Sequence, residues 1–574
     1  MTPADAPVPG GTPSGLVGAG SLLATGGVRR HLDAVVLSGS RLEHYRRALT
    51  RPDRPWIRCG TVSERAGGPG RLERHGRRLV AVVDEPAGER RYVLGPTGWA
   101  PDAIRPRDAA AMPPPPPPDE FVAESGQEVR GLSLARAGGR EYALVDEAGS
   151  LFGYERLPNG EWVRASCLRL APNEPFTVAA TESVKLAQVT GDLDATPTPW
   201  GQRAPTLSGS RATAGVRGTD LGVRVEHAGR SFLLFGDTHW SGRPWLATRD
   251  AIAEVVPEGP VAAGLLPAGL PGVRFHGSPL KLVGRAAGRV TMREYDVPLD
   301  AFSAGGRLYA FFSSNHFTGP RVMGRSVLAR AADPELRIDP AARWRPLVFE
   351  VLGGFSERHF VNVSVQVRPA SAVPGCGSVG DVLLVWGTGA YRASEPRLAL
   401  LDPALATRAA RRGARPFRVR YWAGDGWSDT EAHARPLFGP EALGELSVRW
   451  VAGVGRYLML TASAPEDPIG PSVVLRSAAL PQGPWSRRVR LLDWVATGMS
   501  LDPHTRFIKA SRDDDPVGDR IFRSQARGTG AAYAPYLFDA VVDGHELVLR
   551  YTLSTWNPYQ VVLMQHRLPL ADLP

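Results

Sequence analysis

The chain has 574 residues and a formal net charge of +10, from 68 basic and 58 acidic residues. Only Lys185, Lys281 and Lys509 are lysines, and the arginines are scattered among acidic residues rather than clustered. With its many Ala, Gly and Pro residues, this is an actinobacterial-type composition, typical of a GC-rich genome. The positive charge therefore does not indicate a nucleic-acid partner, since no basic patch is visible.

The cysteines and the apolar segments argue against further classes of protein. Cys59, Cys167 and Cys376 lie far apart and form no metal-ligand spacing, so the sequence predicts neither a zinc site nor a disulfide framework. No apolar stretch approaches the ~18 residues of a membrane span. Residues 1–27 lack the basic start of a secretory signal. A cytoplasmic chain is the default expectation, although the substrate class inferred below suggests export.

The N-terminal third predicts a flexible tail over 1–29 and a small β domain over 30–175, interrupted by a polyproline loop at 113–118. Segments 34–59 and 142–167, and more weakly 79–99, each combine an apolar strand, a glycine turn, an aromatic strand and a Trp. They resemble the small repeats of bacterial propeller lectins. The alternative is a small β domain whose Tyr and Trp are core residues, which is favoured because buried aromatics are common.

The C-terminal two-thirds, residues 181–574, contain a long-period repeat. A glycine leads five times into a short apolar run that ends in small polar residues, at 229–238, 306–314, 380–388, 455–463 and 544–554. Further extended apolar segments precede and follow each run, which predicts three or four antiparallel strands per unit. The expected fold class is all-β, with a five-bladed β-propeller closed by strand 184–189 and preceded by the smaller β-repeat domain.

This architecture predicts where a site lies, because the start of strand one and the end of strand two meet at one mouth of the channel. The residues there or in the adjoining loops are Asp220, Asp237, His239, Trp240, Asp250, Asp296, the run 313–316 with His316, Asn362, Thr388, Tyr391, Arg392, Glu445, Ser463, Tyr533, Tyr536, Trp556, Asn557 and Tyr559. Aromatic faces and polar groups suit sugars. Converging carboxylates suit glycoside hydrolysis, in which one protonates the leaving oxygen and another activates water or attacks the anomeric carbon.

Five short motifs make a family resemblance specific. Segments 218–222, 235–238, 444–448, 483–486 and 553–559 resemble, in order, the family of domains of unknown function 4185. Members of that family include endo-D-arabinanases, which cut the arabinan of mycobacterial cell-wall polymers. The resemblance implies a five-bladed propeller over about residues 181–574 and a catalytic pair of aspartates that maps onto Asp220 and Asp237.

The favoured hypothesis is a hydrolase that cleaves furanosidic linkages, with D-arabinan as one candidate substrate. Asp220 is assigned as base or nucleophile, Glu445 as acid and Asp237 as a second essential carboxylate, although exchanging the acid role between Glu445 and Asp237 is equally compatible. The expected substrate-binding residues are Asp296, Asp250, Trp240, His316, Asn362, Tyr533, Tyr536, Trp556 and Asn557. For Trp240 and Trp556, a core position is the alternative to a sugar platform.

Two other functions stay open at this point. One is a non-catalytic glycan-binding protein, in which the N-terminal repeats assist. The other is a scaffold that binds proteins at the propeller rim. The expected partner is a carbohydrate polymer or oligosaccharide, and the chain is expected to be a monomer. No metal or cofactor is predicted, with a structural calcium ion at the acidic loop 513–515 left open.

Overall fold

The protein is described by a computed structural model. It covers residues 17–25, 31–49, 56–75, 78–105, 121, 123–125, 129–137, 139–171, 176–198, 200–241, 249–262, 264–285, 288, 290–292, 295–316, 324–377, 379–403, 418–463, 467–500, 506–510 and 529–574. Within these ranges the chain forms 35 strands and one short α-helix, α1 (Ser210–Ala214). The polyproline loop 113–118 and the acidic loop 513–515 lie outside the described residues.

The N-terminal domain consists of three four-stranded antiparallel sheets, each a meander in chain order. The first contains β1 (Val17–Thr25), β2 (His31–Ser38), β3 (Arg41–Ala48) and β4 (Ile57–Ser63). The second contains β5 (Arg71–His75), β6 (Arg78–Glu85), β7 (Gly88–Gly95) and β8 (Gly98–Arg105). The third contains β9 (Val129–Ala137), β10 (Arg140–Glu147), β11 (Ser150–Arg156) and β12 (Trp162–Arg169). Because β1 pairs with β2, residues 17–25 belong to a sheet rather than to the expected tail.

The second and third sheets share a buried polar motif. Glu85 at the end of β6 accepts hydrogen bonds from Ser63 and Tyr92. Glu147 at the end of β10 accepts the same two bonds from Ser125 and Tyr154, at the same sequence separations. Both carboxyl groups are thus satisfied inside the domain. The repeat seen in the sequence therefore extends to the buried side chains of these two sheets.

The C-terminal region contains five further sheets, each built from consecutive antiparallel strands. The first has β15 (Val216–His227), β16 (Arg230–Trp240), β17 (Arg249–Val256) and β18 (Gly272–Phe275). The second has β20 (Pro298–Ala304), β21 (Arg307–Ser314), β22 (Arg325–Ala331) and β23 (Val348–Ser356), with β19 (Lys281–Val283) at its edge. The third has β24 (Asn362–Pro369), β25 (Asp381–Thr388), β26 (Arg397–Leu401), β27 (Val419–Trp422) and β28 (Trp427–Ser428).

The last two sheets take strands from both ends of this region. The fourth has β29 (Leu446–Val451), β30 (Arg456–Ala462), β31 (Ser472–Ala478) and β32 (Val489–Asp493), with β13 (Thr177–Val178) parallel to β32. The fifth has β33 (Ala531–Asp543), β34 (Glu546–Trp556) and β35 (Gln560–Pro569), and β14 (Val184–Gln188) pairs antiparallel with β35. Strands that precede the first sheet thus complete the fourth and fifth sheets.

The first strands of the five sheets form a closed ring. Contacts run from β15 to β20, β24, β29 and β33 and back to β15, which is the arrangement of a β-propeller. Arg449 on β29 crosses this ring and donates to both oxygens of Asp300 at 2.9 Å. It also donates to the carbonyl oxygen of Arg224 at 3.3 Å and to Ser364 Oγ at 3.1 Å. This network ties four of the five first strands together.

Candidate active site

Asp220 lies on β15 at an irregular part of the strand. The register between β15 and β16 shifts on both sides of Asp220, and Leu221 and Gly222 have φ values of 69° and 100°. Such bulges bend a strand and redirect its side chains. Glycine suits position 222 because of its positive φ and because a Cβ there would lie 3.2 Å from the Thr552 side chain. The bulge is what sets the direction of the Asp220 carboxyl group.

The surroundings of Asp220 keep its carboxyl group protonated to a higher pH than is usual for an aspartate. Asp220 is only 7 % exposed. Burial, together with the negative charge of Glu445, raises the pKa of Asp220 to about 6, although hydrogen bonds from Tyr559 and Tyr533 oppose this increase. The Tyr533 hydroxyl donates to Asp220 Oδ2 at 3.0 Å. Asp220 is therefore a buried carboxyl group that ionises near neutral pH.

Asp237 lies near the end of β16, next to Gly236, which pairs with Asp220. The backbone N–H of Tyr295 donates to both Asp237 oxygens, at 3.1 and 3.0 Å. Tyr295 has a φ of 73°, a conformation that non-glycine residues rarely adopt. The segment just before β20 thus holds Asp237 through a main-chain group. Asp220 and Asp237 occupy adjoining positions on neighbouring strands.

Asp250 and Asp296 add two buried carboxyl groups to the same region. Burial, followed by the negative charges of Asp237, Asp220 and Asp296, raises the pKa of Asp250 well above its usual range. Asp250 Oδ1 has no hydrogen-bond partner among the described residues. A raised pKa favours the protonated form of Asp250, which is the form that can donate a proton.

Asp296 has local partners instead. Asp296 Oδ2 accepts from Thr291 Oγ1 at 2.8 Å, and Asp296 Oδ1 lies 2.8 Å from His316 Nδ1. The backbone N–H of His316 also donates to Asp296 Oδ1 at 3.1 Å. His316 is therefore a direct partner of Asp296.

Glu445 directly precedes β29. The Tyr391 hydroxyl donates to Glu445 Oε1 at 2.7 Å, and Arg392 Nη2 lies 3.9 Å from Glu445 Oε2. The Arg392 guanidinium also lies over the Tyr391 ring, 4.8 Å from its centroid. Because the charge of Glu445 acts on the pKa of Asp220, these carboxyl groups belong to one electrostatic cluster.

The expected substrate-binding residues fall into two groups. Trp240 is buried in the hydrophobic core between the first and fifth sheets, which corrects its expected role as a sugar platform. Its position at the end of β16, paired with Val216, explains this burial. Tyr536 is likewise a core residue, 2 % exposed. Trp556 is half-buried, with its ring centroid 5.7 Å from that of Tyr559.

The two expected amide contacts, Asn362 and Asn557, also differ in their surroundings. Asn362 begins β24 and is 1 % exposed, and neither polar atom of its amide has a hydrogen-bond partner among the described residues. An unsatisfied buried amide costs free energy unless something else meets its hydrogen-bonding groups. Asn557 instead forms part of the turn after β34, with a φ of 54°. Asn362 is therefore the stronger candidate for a ligand contact.

Backbone conformations with positive φ concentrate around the cluster. Of the non-glycine residues of this kind, six lie at or beside the site: Leu221, Tyr295, Asn315, Arg392, Ala534 and Asn557. Each such conformation costs of order 1–3 kcal/mol, and such residues tend to occur at functional sites. The strain lies where the side chains of Asp220, Asp237 and Glu445 are held.

A family model for a domain of unknown function, DUF4185, matches residues 208–565, which is more than half of the chain. The chain belongs to the DUF4185 family. No curated protein matches it.

Three solved structures similar to this DUF4185 protein have low sequence identity and low TM-scores. A thermostable family-43 glycoside hydrolase is 12% identical with a TM-score of 0.28, over 61% of this chain and 89% of the other. An exo-β-1,3-galactanase from Phanerochaete chrysosporium is 10% identical with a TM-score of 0.33, over 68% and 64%. A glycosyl hydrolase from Bacteroides ovatus is 10% identical with a TM-score of 0.33, over 70% and 99%.

Some site residues were not assigned a role from the sequence. Tyr391, Arg392 and Tyr559 lie on the predicted face of the DUF4185 propeller, but only their contacts with Glu445 and Asp220 show what they do. The sequence signal that could have indicated their roles was the position of a Tyr or Arg after the end of a second strand. The contact of Tyr295 with Asp237 could not be predicted from the sequence, because it uses a backbone N–H and not the side chain.

The described part of this DUF4185 protein contains no group of three or more His, Cys, Asp or Glu residues arranged to hold a metal ion. None of its helices is long and apolar enough to cross a membrane.

Proposed function

We propose that the protein is a glycoside hydrolase that cleaves furanosidic linkages in a polysaccharide, with D-arabinan as the first candidate. The observation that carries the proposal is the convergence of carboxyl groups in unlike environments. Asp220 ionises near pH 6 and is held by tyrosine hydroxyls, whereas Asp250 stays protonated to higher pH. A charged and a protonated carboxyl group in one site supply the base or nucleophile and the acid of glycoside hydrolysis.

The proposed roles follow from these contacts. Asp220 acts as base or nucleophile, because tyrosine hydroxyl donors favour its charged form. Asp237 is the second essential carboxylate, oriented by the N–H of Tyr295. The acid is Glu445 or Asp250, and the free oxygen of Asp250 adds it to the candidates from the sequence. Asn362 and Trp556 contact the sugar.

The proposal includes a five-bladed propeller over residues 181–574, for which the ring of first-strand contacts is the support. The choice of D-arabinan rests on the motif resemblance to endo-D-arabinanases. A carbohydrate polymer as substrate suggests export, and a monomer is sufficient, since the carboxyl groups all come from one chain.

Incubation with arabinogalactan tests the proposal. The wild type should release oligosaccharides, whereas Asp220→Asn and Asp237→Asn should release them at least about 10²-fold more slowly. Asp381→Asn, at an exposed aspartate that begins β25, is the matched control and should retain activity. Sugar binding by the wild type without cleavage would contradict the hydrolase and favour a glycan-binding protein.

A further inference from the structure

We infer that the N-terminal domain takes part in building the active site, with Arg164 as a positioning residue for Tyr391 and Glu445. The inference deepens the proposed function, on which its consequence for cleavage rests. The evidence is a continuous set of contacts from a buried arginine in the third N-terminal sheet to the carboxylate at the propeller mouth.

The first step is a buried ion network between the two domains. Arg164 on β12 is fully buried and donates through Nη2 to Glu147 Oε2 at 2.7 Å. Through Nη1 it donates to Glu395 Oε1 at 2.8 Å and to the carbonyl oxygen of Ala393 at 3.1 Å. Its guanidinium lies over the Phe152 ring, 3.7 Å from the centroid. The planar fork of arginine is thus used on both sides of the interface.

The second step is the segment that Arg164 grips. Residues 389–395 connect β25 to β26, and Ala390 and Ala393 belong to the same hydrophobic cluster as Phe152 of the N-terminal domain. Tyr391 and Arg392 lie between these two alanines. The segment is therefore held by the N-terminal domain on both sides of the residues that face the propeller mouth.

The third step links the segment to Glu445. The N–H of Arg392 donates to the Leu443 carbonyl at 3.1 Å, and the N–H of Leu443 donates to the Ser394 carbonyl at 3.0 Å. Tyr391 then donates its hydroxyl hydrogen to Glu445 Oε1 at 2.7 Å. Glu445 is thus held by its own backbone, two residues from Leu443, and by the side chain of Tyr391.

A buried charge network is a costly way to join two domains. Taking an arginine and two glutamates out of water costs several kcal/mol per ion, and well-packed apolar residues often hold such interfaces equally well. What the network adds is a defined geometry, because each end of the Arg164 guanidinium group fixes the position of one partner. Because Tyr391 lies in the same segment as Ala393 and Glu395, fixing these two residues also fixes the orientation of Tyr391.

The test uses the full chain with Arg164→Met and with Glu395→Gln, a milder change that keeps the shape of the side chain. Two readouts are compared: amide hydrogen exchange at Arg392 and Leu443, and kcat and KM on the polymer that the wild type cleaves. We expect exchange protection to fall at these amides, and kcat to fall about 10- to 100-fold with little change in KM. Arg164→Lys should restore part of both, since it keeps the charge but lacks the fork.

Glu161→Gln is the matched control. It removes the ion pair with Arg358, 2.7 Å long, which joins the same two domains but involves no side chain of segment 389–395. It should change neither readout. Folded Arg164→Met and Glu395→Gln proteins with wild-type protection and kcat would overturn the inference, as would protection lost evenly over the whole propeller. If the wild type cleaves no polymer, the proposed function fails, and exchange at Arg392 and Leu443 still decides whether Arg164 positions them.

Discussion

At the scale of single residues, the site depends on different environments for the same chemical group. Asp220 is buried beside tyrosine hydroxyls, Asp250 is buried beside other carboxylates, and Asp237 accepts a main-chain N–H twice. Desolvation and like charge favour the neutral acid, whereas hydrogen-bond donors favour the carboxylate. The pKa of Asp220 is raised to about 6, and that of Asp250 is raised well above its usual range.

The pKa of Asp220, about 6, predicts the acid limb of the pH profile. Because Asp220 must be charged to act as base or nucleophile, kcat/KM should rise as the pH increases through about 6. Tyr533→Phe removes a donor that favours the charged form, so this limb should move to higher pH. Tyr309→Phe, at a buried tyrosine on β21, is the control and should leave it in place. A limb that does not move in Tyr533→Phe contradicts the role of this hydrogen bond.

The same pKa predicts an effect on stability. The unfolded chain loses the Asp220 proton near pH 3.8, whereas the folded protein keeps it to about pH 6, so burial of Asp220 costs stability as pH rises from about 4 to 6. Asp220→Asn removes this cost. At pH 7 it should raise the free energy of unfolding by on the order of 3 kcal/mol and increase Tm. Thermal melts at pH 4 and pH 7 check this, and an equal Tm difference at both values would count against it.

At the scale of elements, the glycine-led runs of the sequence became the second strands β16, β21, β25, β30 and β34. They were predictable because apolar runs between turn residues are a local signal. The bulge at Asp220 and the left-handed conformation of Tyr295 were not, since both depend on contacts with another sheet. For Trp240, the structure shows the core position that was the alternative to a sugar platform, and the sequence did not decide between the two because it does not tell which face of a strand end is buried.

The bulge makes a prediction of its own. Gly222→Ala places a Cβ against Thr552 at a φ of 100°, so it should cost about 1–3 kcal/mol and lower both Tm and kcat. Gly354→Ala is the control, because that glycine is exposed and a Cβ there meets nothing within 4 Å. Thermal melts and initial rates are the measurements. Wild-type values for both in Gly222→Ala would show that the bulge does not set the position of Asp220.

At the scale of the whole molecule, the all-β propeller was predictable because a long repeat leaves few architectures open. The DUF4185 family was predictable from the resemblance of five short motifs. The contact between the two domains was not. Arg164 and Glu395 are 231 residues apart, and nothing local marks them as partners. The same holds for Arg449 and Asp300, whose pairing joins separate sheets.

The Arg449 network should be essential for the ring. Arg449→Met leaves Asp300, which is 0 % exposed, without its cation, and should cost about 3 kcal/mol. Asp300→Asn combined with Arg449→Met should recover part of that loss. Arg418→Met, which breaks the exposed pair with Asp429, should leave Tm unchanged. Thermal melts followed by circular dichroism measure all three, and a wild-type Tm for Arg449→Met would refute the role of the network.

The most direct test of the central claim compares cleavage and binding in wild type and Asp220→Asn. We predict that the wild type releases oligosaccharides from D-arabinan, and that Asp220→Asn binds the same polymer with similar Kd. Its kcat/KM should be lower by about 10²–10⁴-fold, the usual contribution of a positioned base. Equal cleavage by the two proteins, or binding by both with cleavage by neither, would contradict the account.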